Sequence, residues 1–225
     1  ASASKKHGVK KFILVSTDKA VCPKSIMGVT KKLAEDVLDD HAKNPNRTSF
    51  ITVRFGNVLG SSGSVVPIFQ KQIEEGGPVT VRGEHTSRYF MSIPEASELV
   101  LVGASIGENG DHFILDMGKQ MKVLDIAKRL IHLSGRSVSE NSNSEGIEII
   151  EVGLRDGEKM YEELLISGDE EKTVNKKIFM SKEKFVSNEV FLQLLNLTKE
   201  AISKNDISKL TSLMEEYVDG FNYEK

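Results

Sequence analysis

A short polar segment that follows an apolar run could carry acid–base chemistry. Residues 12–15 are apolar and predict a buried β-strand, and Thr17, Asp18 and Lys19 come at its end. A carboxylate can accept a proton and an amine can exchange one, and open α/β sheets bind their ligands at the carboxyl ends of strands. Most Asp-Lys pairs are solvated turns, so the strand-end position is what favours a catalytic role for Asp18 and Lys19.

The helix predicted after this segment would hold two more side chains beside it. Residues 24–43 predict a helix with Met27 in its first turn and Lys31 one turn later. Residues four apart share one face of a helix, so positions 27 and 31 lie on the same side. The predicted apolar stripe of this helix comprises Met27, Leu33, Ala34, Val37 and Leu38. On these grounds alone, Met27 could be a core residue and Lys31 a surface lysine.

These residues also carry a resemblance to a known family. Tyr-x-x-x-Lys after a strand-end Ser or Thr is the signature of short-chain dehydrogenases/reductases, and here Met27 stands at the Tyr position. Residues 16–31, STDKAVCPKSIMGVTK, resemble the UDP-N-acetylglucosamine 4,6-dehydratases of bacterial surface-polysaccharide synthesis, in the branch with Met in place of Tyr. Further family motifs follow in order, namely VRFGNVLGSSGSVVPIF (53–69), TSRYFMSIPEA (86–96), FILDMGK (113–119) and GLRDGEKMYEELL (153–165).

The resemblance implies a fold and a domain organisation. The fold is α/β, the C-terminal part of a Rossmann-type parallel sheet of an extended short-chain dehydrogenase, with a smaller mixed α/β substrate-binding region and a helical C-terminal appendage. Residues 1–60 would be the second half of the NAD-binding domain, residues 61–166 would interleave Rossmann elements with the substrate-binding region, and residues 167–225 would be the helical extension. No Gly-x-Gly-x-x-Gly turn and no initiating Met occur. We therefore expect a longer protein with its nucleotide-binding half upstream.

The implied reaction assigns roles to the polar segment. In the resembled dehydratases NAD+ takes a hydride from sugar C4, water is lost across C5 and C6, and the hydride returns to C6. By resemblance Lys19 is the C5 base, Asp18 is the acid for the C6 hydroxyl, and Thr17 hydrogen-bonds near the C4 oxygen. A thioether cannot take a proton, so Met27 leaves the Tyr role open. We hypothesise that Asp18 also takes the C4 hydroxyl proton.

Cofactor and substrate contacts are likewise implied by the resemblance. NAD is the expected cofactor, with NADP left open, and its contacts would be Ser16, Lys31 and Phe55. Lys31 would bind the nicotinamide ribose hydroxyls. The expected substrate-binding residues are Asn57, Ser64, Val65, Arg82, Arg88, Arg155 and Glu158. Free amides at a helix start and arginine forks both suit the diphosphate of a UDP-sugar. Arg54, on the strand before Asn57, is as readily a structural ion-pair partner.

Composition excludes several other classes of function. The net charge of -3 gives no electrostatic basis for binding nucleic acid. No apolar run reaches the roughly 18 residues of a membrane span, so any contact with the cytoplasmic face of a membrane would come through upstream sequence. The single cysteine, Cys22, fits a cytoplasmic location, and the histidines lack metal-ligand spacing, so no metal site is expected. The expected partners are a UDP-sugar substrate and further copies of the chain in a homo-oligomer.

Two rival functions remain open from the sequence. One rival is a nucleotide-sugar epimerase on the same scaffold, against which Asp18 and Lys19 argue because C4 epimerisation needs no C6 acid. The other is a non-catalytic nucleotide-sugar-binding module, which the absence of Tyr at position 27 favours.

The hydrophobic patterns also predict the remaining secondary structure. Strands are predicted at 50–53, 79–81, 89–93, 111–115 and 147–152, helices at 65–75, 94–107, 122–133, 158–166, 188–204 and 207–218, and a surface loop at 134–146.

Overall fold

Short apolar runs alternate with amphipathic stretches along the chain, and strands and helices follow in turn. The computed structural model of the protein describes residues 1–43, 47–139, 146–163, 170–181, 188–218 and 221. The strands are β1 (Lys11–Thr17), β2 (Ser49–Phe55), β3 (Asn57–Val58), β4 (Val79–Arg82), β5 (Ser87–Arg88), β6 (Phe90–Met91), β7 (His112–Leu115), β8 (Met121–Lys122), β9 (Ile149–Val152), β10 (Glu170–Lys172) and β11 (Ile178–Ser181). The helices are α1 (Ser2–Lys6), α2 (Ile26–Lys43), α3 (Val65–Glu74), α4 (Ile93–Ile106), α5 (Val123–Leu133), α6 (Asn188–Ser203) and α7 (Ile207–Tyr217).

Two units divide these elements. Unit 1 comprises Ala1–Phe55, Glu98–Asp116 and Glu163–Lys225, and unit 2 comprises Gly56–Ser97 and Met117–Glu162. The predicted reactive segment and the predicted cofactor contacts lie in unit 1, and all the predicted substrate-binding residues lie in unit 2. The three-part division that the sequence predicts, with limits at residues 60 and 166, stays a prediction.

Unit 1 is built on a sheet with the strand order β1-β2-β7-β11-β10. β1, β2 and β7 run parallel, and Ser16 and Thr17 lie opposite Arg54 and Phe55 in the register of β1 and β2. The last two strands are antiparallel to their neighbours. Residues 50–54 of β2 are all buried, as expected for a strand between two parallel neighbours. The parallel part of the sheet, with helix α2 as its crossover, confirms the predicted α/β fold.

Helix α2 carries Met27 and Lys31 and connects β1 to β2. It begins after Ser25, whose hydroxyl accepts a hydrogen bond from the Gly28 amide at 3.2 Å. Its apolar face packs against the C-terminal helices α6 and α7. The shared core comprises Val29, Leu194, Ala201, Leu213, Met214, Val218 and Phe221, with Leu33, Leu197, Leu210 and Tyr217 packed against it. The predicted helical appendage therefore rests on the helix that carries two of the predicted site residues.

Unit 2 has a core of its own between two helices and a pair of parallel strands. Strand β4 alternates, with Val79 and Val81 inward, and pairs with β9. Phe69 and Ile73 of α3 are four residues apart, and α5 repeats the same spacing, so each helix buries one face. The core comprises Phe69, Ile73, Val79, Val81, Val123, Ala127, Ile131 and Ile147. Two short strand pairs, β3 with β6 and β5 with β8, complete the mixed α/β unit.

Two segments differ from the sequence-based expectation. Strands β10 and β11 extend the sheet of unit 1, whereas the sequence predicted no strand after residue 166; β10 is exposed along its length and lacks an apolar alternation. The helix predicted at 158–166 is wrong over 158–163, which have no regular secondary structure and bend at 160–161. Residues 164–166, the predicted helix end at 44–46 and residues 140–145 of the predicted loop lie outside the described residues. Within the described ranges, no helix combines the length and the apolar composition that a membrane crossing requires.

Candidate active site

Thr17, Asp18 and Lys19 form one hydrogen-bonded turn at the carboxyl end of β1. Residues Asp18–Ala20 make a short 3-10 helix with Thr17 at its N-terminal cap. The Thr17 hydroxyl donates to Asp18 Oδ1 at 2.8 Å, and Lys19 Nζ donates to the same oxygen at 3.0 Å. The Asp18 side chain is fully buried, whereas that of Lys19 is 32% exposed. Asp18 Oδ2 is buried and has no hydrogen-bond partner within the described part of the chain, so this oxygen keeps an unused acceptor site.

Met27 and Lys31 occupy different environments on α2. Met27 is 48% exposed, so it is not the core methionine that the apolar stripe predicted. Lys31 is partly buried, and its Nζ lies 3.4 Å from the Val15 carbonyl oxygen at the end of β1. Lys31 is therefore tied to the same strand end as Asp18, while the residue at the Tyr position is open to solvent.

Gly28 permits a close approach of α2 to the polar turn. A Cβ atom at this position would lie 2.3 Å from the Lys19 carbonyl oxygen and 3.0 Å from the Pro23 Cβ. The distance to the Lys19 oxygen is too short for any side chain, and this neighbour is backbone, whereas the distance to Pro23 is a tight contact. Gly28 therefore sets the distance between the helix and the turn.

The side chains at the end of β1 and on α2 have hydrogen-bonding groups for the NAD that the resemblance implies. The Lys31 ammonium group carries three donors and makes one hydrogen bond in the described structure, to Val15, so it can also bind ribose hydroxyls. Asp18 Oδ2 lies on the adjoining turn of the same strand end, where Rossmann sheets bind nucleotides. The spare donors of Lys31 fit the hydroxyl groups of a nicotinamide ribose. The glycine-rich turn that binds a dinucleotide pyrophosphate does not occur in this sequence.

A buried ion pair lies beside the polar turn. Arg54 donates through Nε to Glu35 Oε1 at 2.8 Å and through Nη2 to Oε2 at 2.7 Å, and both side chains are 0% exposed. The Ser16 hydroxyl donates to Glu35 Oε1 at 2.5 Å. Burial raises the pKa of Glu35. The hydrogen bond and charge of Arg54, with smaller contributions from Ser16 and Lys32, lower this pKa by more than burial raises it, so the pKa lies below its ordinary value.

This cluster bears on two sequence-based interpretations. Arg54 is the structural ion-pair partner that the sequence left open as an alternative. The hydroxyl of Ser16, predicted as a cofactor contact, is engaged with Glu35, and its cofactor role stays a prediction. Phe55, the third predicted cofactor contact, is partly buried at the end of β2, opposite Thr17.

In unit 2, the Glu162 carboxylate contacts two predicted substrate-binding residues. Asn57 Nδ2 donates to Glu162 Oε2 at 2.9 Å and to the Tyr89 carbonyl oxygen at 3.1 Å. Arg88 Nε lies 3.2 Å from Glu162 Oε1, and the Arg88 side chain is 13% exposed. The backbone oxygen of Glu162 accepts from Gln120 Nε2 at 2.9 Å. One buried carboxylate therefore orients both Asn57 and Arg88.

The other predicted substrate contacts lie at the start of α3, on β4 and in a turn after β9. Ser64 caps α3 without a side-chain capping bond, and its buried hydroxyl has no partner in the described residues; Val65 is the first residue of that helix. Arg82, on β4, donates to the Gly153 carbonyl oxygen at 3.2 Å. The Glu158 carboxylate accepts a hydrogen bond from the Arg155 amide at 2.9 Å, so this predicted pair closes a turn.

Sequence reasoning missed Glu35, Glu162 and the role of Gly28. Glu35 follows Lys31 by one helical turn, and that spacing alone could have placed it on the face of α2 toward β1. Glu162 lies in a quoted motif, but its partner Asn57 is 105 positions away, and local periodicity carries no signal for such a pair. Gly28 adjoins Met27 in the motif, and a glycine inside a predicted helix usually has a packing reason.

Comparison with solved structures defines the class of fold. Pen from Bacillus thuringiensis matches with a TM-score of 0.70 and 30% identity over 87% of this chain and 64% of its own. A dTDP-glucose 4,6-dehydratase from Streptomyces venezuelae, solved with NAD bound, matches with a TM-score of 0.62 over 72% of this chain and 53% of its own, and at 15% identity it shows the fold alone. The fold is that of an extended short-chain dehydrogenase/reductase.

The sequence comparisons narrow the class to a family. The chain belongs to the family described as polysaccharide biosynthesis protein, whose model matches residues 1–183. The capsular polysaccharide biosynthesis protein CapD of Staphylococcus aureus is 46% identical over 91% of this chain and 34% of its own length. The probable polysaccharide biosynthesis protein EpsC of Bacillus subtilis is 52% identical over 73% of this chain and 26% of its own length. A UDP-glucose 4-epimerase of Rickettsia canadensis is 36% identical over 75% of this chain and 47% of its own length. The chain thus spans about a third or less of the first two relatives.

Proposed function

We propose that this protein catalyses the NAD-dependent 4,6-dehydration of a UDP-N-acetylhexosamine, converting UDP-N-acetylglucosamine to a UDP-4-keto-6-deoxy sugar for polysaccharide synthesis. The observation that carries the proposal is the turn at the end of β1, where Asp18 Oδ1 is held by Thr17 and Lys19 and Oδ2 has no partner among the described residues. Elimination of water needs a base and an acid side by side. This turn supplies an amine and a carboxylate on adjacent residues.

Each side chain of the turn has one task in this reaction. Nicotinamide, when bound, accepts a hydride from sugar C4 and returns it to C6. Asp18 Oδ2 takes the C4 hydroxyl proton, and Thr17 holds the carboxylate through Oδ1. Lys19 takes the C5 proton, and Asp18 gives its proton to the departing C6 hydroxyl, which leaves as water. Lys19 then returns a proton to C5. In this scheme Asp18 covers the role that Tyr has in related enzymes and that Met27 cannot have.

The substrate contacts of unit 2 fit the charged end of a UDP-sugar. Arg88 and Asn57 offer donors for diphosphate or sugar oxygens, and Glu162 holds both side chains in place. The amide groups at the start of α3, next to Ser64 and Val65, suit a phosphate or a uracil edge. Arg82, Arg155 and Glu158 are the proposed contacts for the remaining phosphate and ribose groups.

Substitution of Asp18 tests the assignment. Asp18→Asn keeps the shape of the side chain but removes its ability to carry a proton. We expect turnover of UDP-N-acetylglucosamine to fall by about 100-fold or more, because two proton transfers depend on this group. The matched control is Asp125→Asn, an exposed aspartate on α5, with turnover expected to stay within about twofold of wild type. Turnover of the Asp18 variant near the wild-type level would refute the role of Asp18.

A second candidate is a 4-epimerase of the same substrates. It is favoured by the relative from Rickettsia canadensis, whose name is UDP-glucose 4-epimerase. Epimerisation inverts C4 without loss of water, so the product has the mass of the substrate and keeps its C6 hydroxyl. The product of the dehydratase is lighter by one water and has a C6 methyl group. Mass spectrometry of the product separates the two candidates.

The proposal also includes a cofactor, an oligomeric state and a cellular location. NAD is the proposed cofactor, because proteins of the same fold have been solved with NAD bound, and Lys31 is the proposed contact for its nicotinamide ribose. A homo-oligomer is the proposed assembly. A cytoplasmic location is proposed because a sequence with one cysteine, Cys22, forms no internal disulfide and fits a reducing compartment.

A further inference from the structure

Glu35 joins three secondary-structure elements within a few ångströms of the polar turn. It belongs to α2, it accepts both arms of the Arg54 fork from β2, and it accepts the Ser16 hydroxyl from β1. Ser16 and Arg54 lie opposite each other in the register of the two strands. Both charged side chains are completely buried. One carboxylate therefore ties the ends of β1 and β2 to each other and to the helix.

A contribution to the stability of the fold does not by itself explain why Glu35 and Arg54 form a buried ion pair. Removing two charges from water is costly, and a well-packed apolar pair of similar volume often serves a fold equally well. A bidentate carboxylate–guanidinium contact adds a fixed geometry, which an apolar contact lacks. What this arrangement contributes beyond packing is orientation.

The part of the chain that it orients lies next to it. Lys31 and Glu35 are one turn apart on α2 and contact the consecutive residues Val15 and Ser16 of β1. The residue after Ser16 is Thr17, which caps the turn and donates to Asp18. A shift of Ser16 along the strand would therefore move the Asp18 carboxylate and change its distance from Lys31.

We propose that Glu35 and Arg54 are positioning residues for the polar turn, and that they act through the Ser16 hydroxyl. The inference deepens the proposed dehydratase function and rests on it for its catalytic consequence. Neither charged group contacts the substrate in this proposal. Misplacement of reacting groups by about 1 Å can cost about 100-fold in rate, so loss of this contact lowers turnover while leaving ligand binding largely intact.

The test compares Ser16→Ala and Glu35→Gln in the intact protein with a matched control. Asp39→Asn changes another buried carboxylate of α2, one turn further along, whose Oδ1 lies 2.6 Å from Nε2 of His112 on β7. The measurements are kcat and KM for UDP-N-acetylglucosamine, the affinity for NAD+ by titration, the thermal unfolding midpoint, and amide hydrogen exchange of residues 17–21 by mass spectrometry.

The expected result separates positioning from mere stabilisation. Both variants lower kcat by about tenfold or more, leave KM and NAD+ affinity within about twofold, and speed amide exchange in residues 17–21. Asp39→Asn lowers the unfolding midpoint without changing kcat or the exchange of that segment. If Glu35→Gln fails to fold, Ser16→Ala decides alone, because it removes a single hydroxyl group.

Two results would overturn the inference. One is unchanged exchange at residues 17–21 in Ser16→Ala. The other is weakened NAD+ affinity with kcat unchanged, which would make Ser16 a cofactor contact instead. If wild-type protein forms no 6-deoxy product, the proposed function fails separately, and the exchange measurement still decides whether Glu35 and Arg54 position the turn.

Discussion

At the scale of single residues, two buried carboxylates of unit 1 have opposite uses. Asp18 keeps Oδ2 without a partner among the described residues, and this oxygen is the proposed proton acceptor. Glu35 has both oxygens engaged by Arg54 and Ser16. An oxygen without a partner is available to accept a proton, whereas the bonds to Glu35 fix the positions of Arg54 and Ser16. A buried carboxylate is thus the proposed reacting group at Asp18 and a group that orients its neighbours at Glu35.

The pKa of Glu35 predicts how stability depends on pH. Its folded-state pKa lies below the ordinary value of 4.5, because Arg54 and Ser16 outweigh the effect of burial. A lowered pKa means that ionised Glu35 stabilises the fold fully above about pH 4.5, and that this contribution is lost as the pH falls toward the folded-state value. We expect Glu35→Gln to lower the thermal midpoint at pH 7 and to differ less from wild type below pH 4.5. A difference that stays constant from pH 7 to pH 3 would contradict this.

At the scale of elements, the contact between α2 and the polar turn depends on one glycine. Gly28→Ala would place a methyl group 2.3 Å from the Lys19 carbonyl oxygen, so the helix or the turn must move. We expect a protein that folds but loses most of its turnover, because Lys31 and the turn move apart.

Gly103→Ala is the matched control for this substitution, since Gly103 is also helical, in α4. Its added Cβ would meet Phe113 and Val53 at 3.4 Å and 3.7 Å, which are ordinary contacts. Alanine favours a helix over glycine by about 1 kcal/mol, so this variant should keep its turnover and its stability. Equal turnover in the two variants would show that the spacing of α2 does not matter.

The limits of sequence-based prediction are clearest at the element scale. The apolar runs of β1 and β2 and the 3.6-residue period of α2 were sufficient to predict these three elements and the strand-end position of Asp18, whereas their place in a parallel sheet was implied by the family resemblance. The inward-facing acids of α2, Glu35 among them, contradicted the usual expectation that charges face solvent. The partners of Glu35 and Asp39 lie on strands, and Arg54, the partner of Glu35, is 19 residues away. The exposed strand β10 offered no apolar alternation from which it could be predicted.

At the scale of the whole molecule, the C-terminal helices act on the site through packing. Leu194 of α6 is 3% exposed in the cluster that includes Val29 of α2. Leu194→Ala should destabilise the protein by about 2–5 kcal/mol through loss of buried surface and a residual cavity. Leu192 of the same helix is 50% exposed, and Leu192→Ala should change stability by no more than about 0.5 kcal/mol. Thermal unfolding of the two variants checks this, and equal midpoints would contradict the packing of α6 on α2.

The central claim is that this protein removes water from a UDP-N-acetylhexosamine. The most direct measurement is proton NMR of the intact protein with UDP-N-acetylglucosamine and NAD+ in deuterated buffer. We expect a new C6 methyl signal and deuterium at C5, because Lys19 exchanges the C5 proton with solvent before returning it. The coupling between C4 and C5 substituents in the reduced product would give the configuration at C5. A product that keeps its C6 hydroxyl and its C5 proton, with C4 inverted, would contradict the account and identify an epimerase.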